Sequence, residues 1–212
     1  VLACGVLHLL CVASQDPVPL IIDTDLTFDV DDVGAICSAH VLEDRGEARI
    51  LAILHNGGYP KGIAAVSAIN SFFGRDKIAL GAFKGSFGRA ISGKYVDDLA
   101  KNWPSPIKNY SEVPEALDVY RSVLSKQPDG SVVITSIGFM MNLARLLQSG
   151  PDEHSSLNGR DLVEKKVRLV AWMGGVYPHS ARTEFNFACG EGFVGPAADC
   201  AGTTRYAVEN MP

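Results

Sequence analysis

The sequence predicts an α/β domain with a mostly parallel central sheet and helices on both faces. Three observations carry this prediction. Short apolar runs alternate with stretches of helical apolar periodicity, the pattern of βαβ units. The runs are nearly continuous in apolar character, as strands covered on both faces are. Acidic, polar or glycine residues then follow the runs at their carboxyl ends, where ligands bind in such sheets. With 47% apolar and 20% charged residues among 212, there is enough apolar material for one core of this kind.

Taken in order, Val1 to Ala13 is an apolar run broken only by His8, with small residues at Ala13 and Ser14. It reads as the remnant of a secretory signal over residues 1–16, which predicts export. It is too short to span a bilayer, so no membrane association is expected after processing. Residues 17–212 read as one domain. Val18 to Ile22 ends in Asp23 and reads as a buried strand; a helix follows from about Val33 to Leu42. Ile50 to Leu54 is the second strand, with His55-Asn56-Gly57-Gly58 at its end. Gly62 to Phe73 is helical, with Ala64, Ala65, Ile69 and Phe72 giving it one apolar face. Ile78 to Gly81 is a third strand. Residues 84–112 are rich in Gly, Pro, Ser, Lys and Asn and form a surface excursion with a short helix near Val96 to Leu99. A helix over Val113 to Ser125, a strand over Ser131 to Thr135, a helix through Leu147 and a strand over Val167 to Met173 complete the pattern.

The net charge of −5 and the lack of a basic block exclude nucleic acid as an expected partner. Of the five cysteines, Cys4 and Cys11 fall in the leader and Cys37 reads as a core thiol. Cys189 and Cys200 flank a Gly-rich loop, and export would favour a bridge between them; spacing alone leaves it open. Asn109-Tyr110-Ser111 is a glycosylation sequon, relevant only to an exported chain. Trp103 and Trp172 read as packing groups. His55, at a strand end, suits either a pocket or a structural role, and His179 reads as exposed.

The chemistry concentrates in Asp23-Thr24-Asp25-Leu26-Thr27-Phe28-Asp29-Val30-Asp31-Asp32, which holds five carboxylates in ten residues. Such a cluster repels itself unless a hard cation with several oxygen ligands stabilises it. Asp23 directly follows Ile21-Ile22, where an unpaired charge is costly. Asp31 and Asp32 fall near a helix N-terminus, where the dipole favours negative charge.

This segment resembles the N-terminal signature of the inosine-uridine-preferring nucleoside hydrolases: apolar strand, Asp-x-Asp, short turn, Asp-Asp, apolar helix. The turn here, Leu26 to Val30, is two residues longer than the usual one. The resemblance implies a Rossmann-like sheet and calcium as cofactor. It implies Asp25 as general base and calcium ligand, Asp32 as bidentate calcium ligand, and Asp31 as the carboxylate on the ribose 2′-hydroxyl. Asp23 resembles the buried acid behind them, and Asp29 has no counterpart. A second match is Thr183-Glu184-Phe185-Asn186-Phe187 after Gly174-Gly175, in which Glu184 and Asn186 resemble the groups on the ribose 3′- and 5′-hydroxyls. Read as extended chain, Glu184 and Asn186 share one side and Phe185 faces away. A third, Ser136-Ile137-Gly138-Phe139-Met140-Met141-Asn142-Leu143, resembles a strand-end turn whose backbone carbonyl binds calcium, here Ile137. Asn56, beside His55, is expected against the substrate.

The implied reaction is hydrolysis of the N-glycosidic bond of a ribonucleoside to ribose and free base. A water made acidic by calcium would lose its proton to Asp25 as it attacks the anomeric carbon. The small-molecule partner is thus a ribonucleoside, with homo-oligomerisation left open. The family's last calcium-binding Asp and adjacent His have no counterpart here, so the domain reads as incomplete at its C-terminus. Two rival readings stand beside this one. Asp23-Thr24-Asp25-Leu26-Thr27 also resembles the first motif of haloacid dehalogenase-like phosphatases, with Asp23 as nucleophile. A non-catalytic ribose- or calcium-binding relative is the other.

Overall fold

The computed structural model describes residues 16–86, 93–178, 184–188 and 200–212. The apolar leader and Cys189 lie outside them. β1 (Val18–Thr24) leads through an acidic loop to α1 (Asp31–Asp44). β2 (Ala48–His55), α2 (Gly62–Phe72) and β3 (Ala79–Ala82) follow. After α3 (Lys94–Asn102) and a 3₁₀ turn (Tyr110–Glu112), the chain enters α4 (Ala116–Ser125), β4 (Val132–Ser136) and α5 (Met141–Gln148). Then come α6 (Gly159–Lys166), β5 (Val167–Trp172), α7 (Phe185–Ala188) and α8 (Cys200–Asn210).

The five strands form one sheet in the order β3-β2-β1-β4-β5, every pair parallel. Period-two alternation sorts the central strands between two cores. Ile21 and Leu54 face α4, α5, α6 and α8, while Ile22 and Ile53 face α1, α2 and α3. Helices therefore cover both faces, as expected. The exception is the outer strand: Leu169 of β5 is 54% exposed, whereas Val170 and Trp172 pack inward. Pro19 sits in the central strand near its start, just before an irregularity in the β1–β2 register at Leu20/Ile21; a proline there withholds a donor from the ladder.

Some elements differ from the expected ones for local reasons. α1 begins at Asp31, so both acidic residues occupy its first turn. α6 was not anticipated: its apolar content is small, and it is held by Asn158, whose side chain accepts from Asp161 N.

A buried cation fixes the connection between α5 and α6. Arg121 of α4 is 1% exposed and points five bonds at that loop. Its Nε and Nη2 grip Asp152 at 2.5 and 3.0 Å, Nη1 reaches Ser149 Oγ at 2.8 Å, and Nη2 also meets the carbonyls of Ser155 and Leu157. The guanidinium holds the Asp152 carboxyl down at about 2. Among the described residues no helix is long and apolar enough to cross a membrane. Cys200 is disulfide-bonded and Cys37 is free, so the partner of Cys200 lies outside the described residues.

Candidate active site

The strand order reverses between β1 and β4, and an open parallel sheet forms its ligand crevice at the carboxyl ends flanking such a switch. The register brings those ends level: Asp23 lies beside Ser136, Ser136 beside Trp172, and Thr24 beside His55. The loops that leave this rim enclose a cleft of about 330 Å³. One wall carries Asp25, Phe28, Asp29, Asp31 and Asp32; the other carries Met173, Glu184, Phe185 and Asn186.

The acidic wall folds inward through Thr24. Its hydroxyl donates to Asp32 Oδ1 at 2.8 Å and accepts from Leu26 N at 3.2 Å. Leu26 is fully buried beneath the loop, and Asp25 and Asp32 are 6% and 3% exposed. His55 Nε2 donates to the Leu26 carbonyl at 3.1 Å. Burial drives the His55 pKa down to about 4, so the ring is neutral at neutral pH, and it acts as a strut for the loop.

Burial pushes Asp25 well above the usual carboxylate range, and the Asp32 charge adds to it. Burial likewise raises Asp32 to about 7, against the lowering effect of the Thr24 hydroxyl. The two carboxyls share a hydrogen bond. A pair of buried acids this close holds a proton unless a cation replaces it. Carboxylate oxygens of Asp29, Asp31 and Asp32 lie within 4.8 Å of one another, so these three could hold a metal ion. Asp29, which had no counterpart in the resemblance, thus joins the group, and Asp25 reaches it through Asp32.

The turn after β4 meets residues of both walls, Asn186 and Asp25. Ile137 N donates to Asp23 O at 2.8 Å, extending the ladder by one bond. The Ile137 carbonyl accepts from Asn186 Nδ2 at 3.3 Å, and the same amide reaches Met173 O at 3.2 Å. Gly138 touches the acidic wall directly. A Cβ there would lie 2.5 Å from Asp25 N and 2.6 Å from Asn56 Oδ1. Replacing Gly138 with Ala is therefore expected to destabilise the protein by roughly 1–3 kcal/mol, the usual cost of overpacking. Urea unfolding measures this, and an unchanged midpoint would show that the turn can shift freely.

Asp23 lies behind the wall, fully buried. Its Oδ1 accepts from Asn56 Nδ2 at 2.8 Å and from Asn142 Nδ2 at 2.9 Å, and its Oδ2 accepts from Tyr120 Oη at 2.9 Å. Burial raises it to about 7 against the pull of these three donors. Both oxygens are occupied and solvent is excluded, so Asp23 has no line of attack on a phosphate. This removes the geometric basis of the dehalogenase-like reading.

Two expectations need correction. Asn56 does not face a substrate: it is fully buried, donates to Asp23 and to Phe139 O, and accepts from Phe139 N at 3.0 Å. Its amide capacity is consumed in tying the β2 and β4 loops to β1. The Glu184–Asn186 segment is not extended. Glu184 accepts from Asn186 N and Phe187 N, both at 2.9 Å, and from Gly175 N at 3.2 Å, which turns the chain into α7. Phe185 consequently faces the cleft too. His179 lies outside the described residues. Tyr120 and Asn142 had no assigned role in the sequence. A tyrosine on the core face of a helix needs a partner for its hydroxyl, but nothing local says which.

No family model matches the chain, and no curated protein does. Solved structures do. The effector protein XOO4466 aligns with a TM-score of 0.61 at 17% identity, covering 93% of this chain and 52% of its own. The type III effector XopQ, complexed with adenosine diphosphate ribose, gives the same four values. A plant nucleoside hydrolase aligns with a TM-score of 0.52 at 23% identity, covering 76% of this chain and 48% of its own. The chain thus spans about half the length of each of these proteins. Likeness at this level of identity establishes architecture, and the five-stranded parallel sheet with its flanking helices is a nucleoside hydrolase-like fold.

Proposed function

We propose that this chain is part of a calcium-dependent nucleoside hydrolase of the inosine-uridine-preferring type. The observation that carries the reading is a cleft at the β1/β4 switch point that has Asp25, Asp31 and Asp32 on one wall and Glu184 and Asn186 on the other. The donor set fits calcium: carboxylate oxygens and a backbone carbonyl are hard ligands, and two buried carboxyls with raised affinity for protons are what a cation would relieve. Asp25, Asp32 and the Ile137 carbonyl would hold the ion, with Asp29 and Asp31 beside them. Bound there, calcium would make a water more acidic and bind ribose hydroxyls.

The chain's own residues do the rest. Asp25 accepts the proton of the attacking water as its oxygen bonds to the anomeric carbon and the carbon–nitrogen bond breaks, the electron pair leaving with the base. Asp31, exposed at the start of α1, accepts from the ribose 2′-hydroxyl. Asn186 and Glu184 orient the sugar from the opposite wall. Asn56 acts indirectly, by holding the Ile137–Phe139 turn in place. Incubation of the protein with inosine or uridine, with calcium or with chelator, tests the reading through release of reducing sugar. No calcium-dependent release of ribose, together with no calcium-dependent nucleoside binding, would end it.

The pH response of calcium binding has a defined sign. Burial raises the folded pKa of Asp32 to about 7 and that of Asp25 well above the usual carboxylate range, so the metal-free site holds protons on this pair. Calcium must displace them, so affinity is expected to rise as pH climbs through about 7, where Asp32 gives up its proton, with proton release on binding. Calorimetry in two buffers of different ionisation enthalpy reads the protons directly. Affinity independent of pH between 5 and 8 would place the ion elsewhere.

A non-catalytic reading is supported by one specific observation. XopQ, which aligns over 93% of this chain, was crystallised with adenosine diphosphate ribose. Under this reading the cleft holds a ribose-containing ligand without cleaving it. Binding of adenosine diphosphate ribose with no turnover of any nucleoside would favour it.

A further inference from the structure

The acidic wall does more than gather carboxylates: it carries Phe28 to the mouth of the cleft. Phe28 is 42% exposed and meets Phe185 edge to face, ring centroids 5.9 Å apart at 72°. Phe185 in turn lies 5.7 Å from Phe139, which is 1% exposed. Three rings thus run from the buried interior to the open rim. The loop that presents Phe28 is firmly seated. Leu26 anchors one end in the core. The start of α3 backs the middle: a Cβ on Gly93 would lie 2.3 Å from Thr27 O and 2.9 Å from the Phe28 Cα. Tyr95 Oη donates to the Asp29 carbonyl.

We propose that Phe28, backed by Phe185, is the wall that stacks on the planar base of the ligand. The proposal rests on the nucleoside reading above and adds to it how the base is recognised. The cleft has two chemistries. Its carboxylates suit a cation and hydroxyl groups, and its aromatic side suits a flat ring with a polarisable face. A nucleoside is a molecule with one half of each kind, and about 330 Å³ lies within the range of small-molecule sites. Phe28 sits in the stretch Leu26 to Val30, the part of the loop that is longer than the resembling signature. The wall therefore belongs to this chain's own loop. Stacking tolerates any base, so it predicts acceptance of both purine and pyrimidine nucleosides, with the larger ring bound more tightly.

Titration calorimetry of the 212-residue chain in calcium, with inosine, uridine and ribose as separate ligands, tests this. Phe28→Ala and Phe28→Leu are expected to weaken inosine and uridine binding about tenfold while leaving ribose within about twofold, since a base–aromatic stack is lost and the sugar contacts are kept. Phe28→Trp is expected to restore nucleoside affinity, with emission quenched by inosine and unaffected by ribose. Equal weakening of ribose and nucleoside would mean that the ring packs on the sugar, and would overturn the proposal. So would unchanged nucleoside affinity in Phe28→Ala. Wild-type protein that binds ribose but neither nucleoside overturns the aromatic wall and spares the sugar site. Wild-type protein that binds none of the three overturns the nucleoside reading and the wall with it.

Discussion

Asp25→Asn is expected to lower nucleoside turnover by about 10²–10⁴-fold, the usual contribution of a general base. The amide keeps the shape of the carboxyl but cannot take a proton from water. The same change removes one of two buried acids that repel each other when ionised. The metal-free protein should therefore melt at the same temperature as the parent or higher, and calcium should stabilise it less. This pairing of lost activity with retained stability separates a chemical role from a structural one. Turnover at the parental rate would remove Asp25 from the mechanism. A large fall in melting temperature would mean that its charge holds the loop together.

Asp152→Ala is expected to cost about 3–5 kcal/mol of stability, because it strips the carboxylate from a buried guanidinium. Arg121 would retain Ser149 Oγ and the carbonyls of Ser155 and Leu157, none of which carries charge. The site lies on the α4–α5–α6 side of the sheet, so calcium affinity should change little in whatever fraction stays folded. Arg121→Met combined with Asp152→Ala should recover part of the loss, since no unpaired charge then remains in the interior. Denaturant unfolding of the two variants measures both effects. A loss below about 1 kcal/mol for the single variant would show that the loop relaxes and lets water reach the arginine.

These two residues differ in how visible they were. Asp25 was conspicuous, because a carboxylate two positions after a buried acid and just beyond an apolar strand violates the local preference for apolar or turn residues. Arg121 and Asp152 showed nothing comparable. An arginine in an amphipathic helix ordinarily reads as solvated, and its ion-pair partner is 31 positions away. The same contrast runs through the site. Asp31 and Asp32 could be placed on a helix N-terminus from adjacent residues, and the structure puts them in its first turn. Glu184 could not be placed correctly. Its alternation with Asn186 resembles a strand, but its carboxylate binds three backbone N–H groups and winds the segment into a helical turn. The direction of Asn56 is hidden for a related reason: position beside a strand-end histidine says that it is near the cleft, not which way its amide points.

The amino-acid sequence by itself determined the alternation of strands and helices, the parallel sheet and the gathering of acidic residues at a strand end. Those features follow from periodicity and burial within a few residues of each other. Only the tertiary structure decided which groups meet. Asp23 is held by Asn56, Tyr120 and Asn142, which stand 33, 97 and 119 positions away, and Asn56 grips Phe139 across 83. The strand order β3-β2-β1-β4-β5 brings these segments together, and hydrogen bonds at such separations leave no trace in local pattern. The physical reason is that side-chain direction at a loop is set by what packs behind it, and here that is always a distant part of the chain.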